Sequence, residues 1–423
     1  MNHNLNLKCK VCGNVVRLKV HGGYVLENPF AFNCPKCKIT IQGNLTWNEN
    51  IENGLIKEFK CNNAIFTEDY GNESHLLQLA TEFFTDKIKK LDKSDPTMVL
   101  SPFIMEQLNF ETKQRKIDFI KYITEEFEEQ FTVTLRLWEL YKNKNYIYLN
   151  RQLLKHYFVD PVVMGAVLNI DYPKKIMEVL YKPFKFLLTE SGHIKDIITL
   201  RNMLMQAKKL HPVELIKLKK DLQELLLNSD KNIIHLLGNF NESYRLILPV
   251  ILSEIYRTHN IDDIKEKQGI LTTNFEMLKN YYVESFEILT SVLPIFLGLQ
   301  NILNRGDRNK FNEVSQGKFK TIKSIQDYDK KVKNKGNKVK FFEDENLFDE
   351  IYDIPSILNN SLRNSIGHHS YTYIPDLQII SFKDRSKEWD LYLIEFGSLL
   401  YRTFYAAFLA LEVIMFMNTK FND

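Results

Sequence analysis

Hydrophobic and polar positions divide the chain into stretches of different period. Through the first 66 residues the apolar positions come in short runs that suit strands. Val15, Val16, Leu18 and Val20 form one, Ile39 and Ile41 mark another, and residues 59–66 supply one more. From about Ser74 the period becomes helical. Leu76, Leu79, Ala80, Phe83, Phe84 and Ile88 fit one amphipathic helix, and Ile117, Ile120, Ile123 and Phe127 mark a second over residues 111–131. Pro173, after Asp171, opens a third helix that Pro183 kinks. Pro212 opens a fourth, with Leu215, Leu218, Leu222 and Leu225 on its inner face, and a further apolar run closes at Tyr256. This middle region shows no repeat that aligns with itself, so a regular solenoid is not supported.

The last part of the chain, from residue 260, starts with a long stripe of Leu278, Tyr282, Phe286, Leu289 and Leu293, with a bend at Pro294. Farther on, Ile354, Leu358, Leu362 and Ile366 repeat every four residues behind Asp353 and Pro355. That pattern predicts one capped helix with a single apolar face, stopped by Gly367. Tyr371 to Phe382 and residues 389–396 read as a hairpin turning over residues 383–388. Residues 397–417 read as a final core helix, whose most apolar part, residues 403–417, is short for a membrane span. The expected architecture is mainly α. A small β zinc ribbon with flanking strands occupies 1–66, a helical domain of unreadable role 67–259, and a helical bundle with a short β-hairpin 260–423.

Composition changes this picture little. Gly (16) and Pro (12) are sparse, which favours helices over a sandwich or barrel. The formal net charge is only +3, so a nucleic-acid footprint has to be local. Residues 305–340 carry about a dozen basic side chains against about four acidic ones. Phe311, Phe319 and Tyr328 are interleaved with them, and the charge reverses at Glu343, Asp344 and Glu345. Lys330, Lys331, Lys333 and Lys335 are candidate RNA contacts in this insertion; the plainer reading is a solvated, partly mobile loop. The polar start of the chain carries no secretory pattern, so the expected location is cytoplasmic, with no membrane partner.

Five cysteines are present, and four form two Cys-x2-Cys pairs: Cys9 with Cys12, and Cys34 with Cys37. Each pair is followed by strand-type residues. Four thiolates at this spacing suit a closed tetrahedral zinc site with a structural role and no open position for substrate. Disulfides are the alternative, disfavoured in a reducing compartment. Cys61 reads as a buried small residue, and His3 and His21 as substitute ligands that the site does not need. Lys8, Lys10, Arg17, Lys19, Lys36 and Lys38 surround the pairs, as a nucleic-acid surface or as a solvated face.

The chemistry-bearing stretch is Leu362-Arg363-Asn364-Ser365-Ile366-Gly367-His368-His369. Arginine binds phosphate as a planar fork, and histidine transfers protons near neutrality. Asn364 lies one helical turn before His368 and can orient it. The plain alternative is a helix-end cation followed by exposed histidines. Five positions on an unbroken helix set Arg363 and His368 about 140° apart. Convergence on one phosphate then needs a break at Gly367 or a second protomer.

The arginine, the adjacent amide and the histidine resemble the R-x4-6-H motif of HEPN-superfamily ribonucleases. The resemblance covers roughly residues 260–423. It implies a HEPN-like helical bundle and metal-independent RNA cleavage by Arg363, Asn364 and His368. Beside that pattern, His369, an extra histidine, and Tyr371, a base-stacking ring or an ordinary hairpin aromatic, are candidate auxiliary groups. The resemblance also implies a homodimer acting as a toxin or abortive-infection effector in prokaryotic defence, under a phage-derived trigger or an antitoxin. The alternative from another class is a non-catalytic zinc-ribbon and helical binding protein. It would sense a phage or nucleic-acid component or partner a separate enzyme.

Overall fold

The computed structural model describes residues 2–48, 56–69, 72–91, 102, 113–157, 172–257, 259–343, 347–348, 351, 353–419 and 421. Asp171, Asp344 and Glu345, used above, lie outside them. The expectation of a mainly α chain with a small ribbon is not met. Helix accounts for 57% of the structure and strand for 19%, so the fold is α+β with several sheets.

The chain forms two compact units. The first gathers Met1–Lys121, Glu242–Phe286 and Asn359–Phe404; the second gathers Tyr122–Asn241, Glu287–Leu358 and Tyr405–Asp423. These boundaries cut across the three consecutive spans read from the sequence. Residues 260–423 are divided between the two units and do not make one bundle.

All four sheets among the described residues lie in the first unit, and the two nearest the start of the chain share one core. Strands β1 (Asn2–Cys9), β2 (Val15–His21), β6 (Ala64–Phe66), β7 (Glu73–Leu79) and β9 (Lys89–Lys90) form a five-stranded sheet in the order β6-β1-β2-β7-β9. β3 (Glu27–Asn33), β4 (Thr40–Trp47) and β5 (Ile56–Asn62) form an antiparallel three-stranded sheet. Leu5, Leu7, Val16, Leu18, Phe30, Ile41, Leu45, Leu77 and Leu79 meet in one core.

β7 is where periodicity misled. It pairs in parallel with β2 from Val16–His75 to Val20–Leu79. Leu76, Leu77, Gln78 and Leu79 are all buried. A strand covered on both faces loses its alternation, and short apolar runs of that kind cannot be told from a helix by period.

A third sheet, β11 (Tyr371–Ile374), β12 (Ile379–Asp384) and β13 (Lys387–Tyr392), is an antiparallel meander where a single hairpin was expected. The additional turn runs through Pro375 to Gln378. Gln378 is buried, and its carboxamide bonds the Ile270 backbone twice, at 2.6 and 3.0 Å. A Cβ on Gly269 would fall 2.1 Å from that carboxamide oxygen, so a larger residue there would displace the carboxamide from the Ile270 backbone. Gly269 belongs to β10 (Gln268–Gly269), which pairs with β8 (Thr85–Asp86).

The second unit is helical. Residues 111–131 were expected as one helix. The structure has a helix Lys113–Lys121, which belongs to the first unit, and in the second a π turn at Tyr122–Glu126 and a helix Phe127–Lys142. Pro183 separates two helices, Tyr172–Tyr181 and Lys185–Glu190, rather than kinking one. Leu215, Leu218 and Leu222 are buried as their spacing implied. The basic insertion is folded, with short helices Glu313–Lys318, Ile325–Lys331 and Lys335–Val339. Tyr328 and Phe341 are buried at its centre, 4.7 Å apart between rings, and Phe319 stacks on Phe341 at 4.4 Å.

Two helices, Phe275–Arg305 and Leu393–Asn418, are long and apolar enough to cross a membrane. Their most apolar windows are 78% and 83% buried within the structure, as core helices are.

Candidate functional site

The four cysteines come together. Cys9 ends β1 and Cys12 lies in the turn to β2; Cys34 follows β3 and Cys37 lies in the turn to β4. Each pair is thus the corner of a hairpin, and the two corners share one backbone pattern. Cys9 N–H donates to Asn14 O and Gly13 N–H to Cys9 O; Cys34 N–H donates to Ile39 O and Lys38 N–H to Cys34 O. Gly13 (φ 69°) and Lys38 (φ 62°) are the left-handed residues that let the chain turn around its sulfurs.

All four Sγ atoms lie within 4.8 Å of one another, with Cys9–Cys37 at 3.7 Å and Cys12–Cys34 at 3.5 Å. Those separations are far beyond a disulfide bond of about 2.05 Å. They approach the roughly 3.8 Å between sulfurs around a tetrahedral ion with bonds of about 2.3 Å. The donor set therefore fits a metal such as zinc. As free thiols the group is uneven. A hydrogen bond from the Asn14 backbone holds Cys12 down to about 7, and burial pushes Cys34 up to about 12. A bound cation removes this spread by deprotonating every ligand. His21 is not a ligand: it is buried and bonds Gln78 at 3.0 Å. His3 sets its ring edgewise to Trp47. Cys61 is partly exposed rather than buried.

The arginine–histidine stretch lies in the same compact unit. Its apolar stripe is buried as expected: Ile354, Leu358, Leu362 and Ile366 are at most 4% exposed. The single helix is not. It divides into Ile354–Ile357 and Asn360–Gly367, because Asn359 acts as a second N-cap and accepts from Leu362 N–H at 3.0 Å. The Asn359 backbone is held at both polar atoms by Tyr282, whose hydroxyl accepts from its N–H at 3.1 Å and donates to its carbonyl at 3.3 Å. At the other end, Ser365 Oγ donates to Lys383 O on β12, and Lys383 N–H donates to Ser370 O, both at 2.9 Å. A helix of eight residues, too short to persist alone, is thereby fixed at both ends.

Gly367 is not the residue that stops the helix. The left-handed position belongs to His369, at φ 53°. Ser370 N–H bonds Ser365 O at 2.8 Å and His369 N–H bonds Ile366 O at 3.1 Å, a Schellman closure with histidine where glycine is usual. Nor does packing require glycine there: a Cβ on Gly367 would sit 3.8 Å from an Arg363 guanidinium nitrogen, an ordinary contact. The Arg363 side chain thus reaches forward along the last turn, toward the residue that precedes His368.

Arg363 and Asn364 are partly exposed, and Gly367, His368 and His369 are exposed. The structure thus gathers Arg363, Asn364, His368 and His369 at one open helix end. Tyr371 is fixed nearby as a packed aromatic. Its ring is edgewise to Phe275 at 5.0 Å and 6.4 Å from His369, and its hydroxyl accepts from Lys279 at 2.6 Å and donates to Glu276 at 3.0 Å. Sequence reasoning missed Lys279 and Glu276 and read Tyr282 only as part of an apolar stripe, not as the hydroxyl that holds Asn359.

No family model, curated protein or solved structure matches this chain.

The four lysines proposed to touch RNA belong to the second unit. Lys331 pairs with Asp327 at 2.6 Å, Lys335 with Glu287, and Lys330 stands 4.0 Å from Glu224. Lys333 is exposed. Three of the four thus have a carboxylate within 4.0 Å, and the pairs of Lys330 and Lys331 are exposed on the lysine side, where such contacts contribute little.

Proposed function

We propose that this chain is a metal-independent endoribonuclease of the R-x4-6-H type, with Arg363, Asn364 and His368 as its active residues. The observation that carries the reading is the Arg363 guanidinium, which reaches along the last helical turn to Gly367, the residue before an exposed His368. A phosphate-binding fork and a proton-transfer group thus stand at one helix end. In this mechanism the neighbouring 2′-oxygen attacks phosphorus and its proton passes to an imidazole. The bond to the 5′-oxygen breaks, and that oxygen takes a proton from a second group. The products are a 2′,3′-cyclic phosphate and a free 5′-hydroxyl. Arg363 offsets the charge that grows on the phosphate. His369, next in the chain, or His368 of a second copy in a homodimer supplies the second proton-transfer group. The cysteine cluster holds a structural zinc ion. The effector acts in the cytoplasm of a prokaryote as a toxin or anti-phage protein, released by a phage-derived trigger or loss of an antitoxin.

The experiment incubates purified protein with single-stranded RNA and with the same strand carrying a 2′-deoxy substitution at the cleaved position. Cleavage of the first alone, surviving brief EDTA treatment and abolished by His368→Ala, is the expected result. Equal cutting of both strands refutes the mechanism. A second reading, a binding protein without catalysis, is favoured by the open helix end, since most reactive sites are recessed. A folded protein inert on RNA, whose expression arrests no growth during phage infection, selects that reading.

A further inference from the structure

The second unit contains a cavity of about 380 Å³ that the nuclease reading does not use. Its volume is within the range of small-molecule sites, about 300–1,000 Å³. The walls come from the turn after helix Phe127–Lys142, from helices Pro212–Asp221 and Gln223–Ser243, and from the end of helix Leu393–Asn418. Leu226 and Met415, both buried, give it an apolar side, and Tyr146 stands partly exposed at its edge.

The charges are unbalanced. Lys142, Lys144 and Lys219 line the cavity with a single carboxylate, Asp230. Asp230 is buried and already paired with Lys142 at 2.6 Å. Lys219 has only uncharged partners among the described residues: Thr419 O at 2.8 Å and the Phe421 ring at 5.6 Å. Burial lowers its pKa, the mark of a cation losing water without gaining an anion. Lys144 forms no ion pair among the described residues.

Lys144 adds an independent observation. It occupies the left-handed position (φ 54°) that closes helix Phe127–Lys142. Asn145 N–H bonds Leu140 O and Lys144 N–H bonds Tyr141 O, both at 2.9 Å, the same Schellman pattern that ends at His369. Glycine is the residue such a turn prefers, and a lysine here costs stability. A strained position that keeps a long cation at the mouth of a basic cavity points to use of that cation.

We propose that this cavity binds a nucleoside polyphosphate, with the phosphates on Lys144 and Lys219 and the base against Tyr146 and Leu226. Two lysines without carboxylates ask for more than one anionic oxygen, and the aromatic and apolar side asks for a flat ring.

The test is isothermal titration of the full chain with ATP and GTP, with adenosine as the uncharged control. Lys144→Gly removes the charge while giving the turn its preferred residue, and Lys219→Gln removes the other; thermal unfolding checks that both variants fold. Saturable binding of a triphosphate, none of adenosine, and a loss of about tenfold in affinity for each variant is expected. Unchanged affinity in both variants overturns the proposal, as does equal binding of adenosine, or no saturable binding at millimolar nucleotide. Displacement of ATP by single-stranded RNA at a lower concentration than free nucleotide requires makes the polymer the ligand and overturns the assignment to a free nucleotide. The readout is binding alone, so its outcome is separate from that of RNA cleavage.

Discussion

The four cysteines converge inside the corners of two hairpins, whereas Arg363, Asn364 and His368 stand at the open end of an eight-residue helix. Both groups lie in the first compact unit. The cysteine corners are closed by their own backbone, each with a left-handed residue directly after the second cysteine. That helix is held by partners on other elements, Tyr282 at its start and Lys383 near the open end. A site made of local turns is nearly complete once its own turns have formed. A site hung on distant anchors exists only when the whole unit has folded.

The largest effect that sharpens this contrast is loss of the cluster. Cys9→Ser or Cys34→Ser removes one sulfur from a closed set, and structural zinc supplies on the order of 10 kcal/mol of apparent binding energy. Purified native protein is expected to carry about one zinc ion per chain and either variant much less, with a collapse in melting temperature. Native protein without zinc breaks the assignment. Protons compete for the same sulfurs, so zinc should leave as pH falls.

His368→Ala and Arg363→Ala should behave oppositely. RNA cleavage should fall by roughly 10²- to 10⁴-fold, with unfolding unchanged, because both side chains are at the surface. Substantial activity in either variant removes the helix end from the chemistry.

Burial also makes the cysteine-bearing part of the unit sensitive to pH. Glu82 is fully buried; its Oε1 accepts from the Tyr24 and Val25 N–H groups between β2 and β3. Desolvation raises its pKa to about 7. Because the folded value lies above the unfolded one, the folded state holds the proton longer, and stability falls as pH rises from about 4.5 through 7. Glu82→Gln should therefore stabilise the protein by up to about 3 kcal/mol near pH 8 and by nothing below about pH 4.5. His21, buried with its pKa lowered to about 4, acts in the opposite sense: its contribution is lost as pH falls from about 6.5 through 4. A flat difference in melting temperature between wild type and Glu82→Gln across this window would show that Glu82 does not titrate as described.

Smaller effects separate strain from chemistry at the helix end. His369→Gly should raise stability by about 1 kcal/mol, since glycine accepts a positive φ without cost. It should also lower cleavage, if the imidazole is the second proton-transfer group; unchanged cleavage assigns that role to another copy. Gly367→Ala should be nearly neutral, within about 1 kcal/mol, because a Cβ there meets Arg363 only at ordinary contact distance.

What could be read in advance follows the same division between local and distant. The Cys-x2-Cys pairs and the strands after them needed only short-range spacing. The stripe Ile354, Leu358, Leu362, Ile366 correctly gave burial, but Asn359 between its members is a helix N-cap, and that signal was passed over. β7 was read as helix because its parallel neighbour buries both faces. The basic insertion looked mobile from its charge, yet Ile325, Tyr328 and Phe341 make a core of their own. Neither left-handed cap, Lys144 or His369, carries a glycine to announce it, so both were invisible to a reading that looks for glycine at helix ends.

The first compact unit joins Met1–Lys121 to Asn359–Phe404, with Glu242–Phe286 between them in the chain. During synthesis the two cysteine hairpins leave the ribosome early and can capture their ion through short loops. β8 has to wait for Gln268–Gly269, and the helix bearing Arg363 is made later still. A nascent chain therefore carries a formed metal corner long before it carries a formed arginine–histidine end. A chain that ends before Asn360 lacks the helix bearing Arg363, and no single cut in the gene would yield either compact unit as an autonomous module.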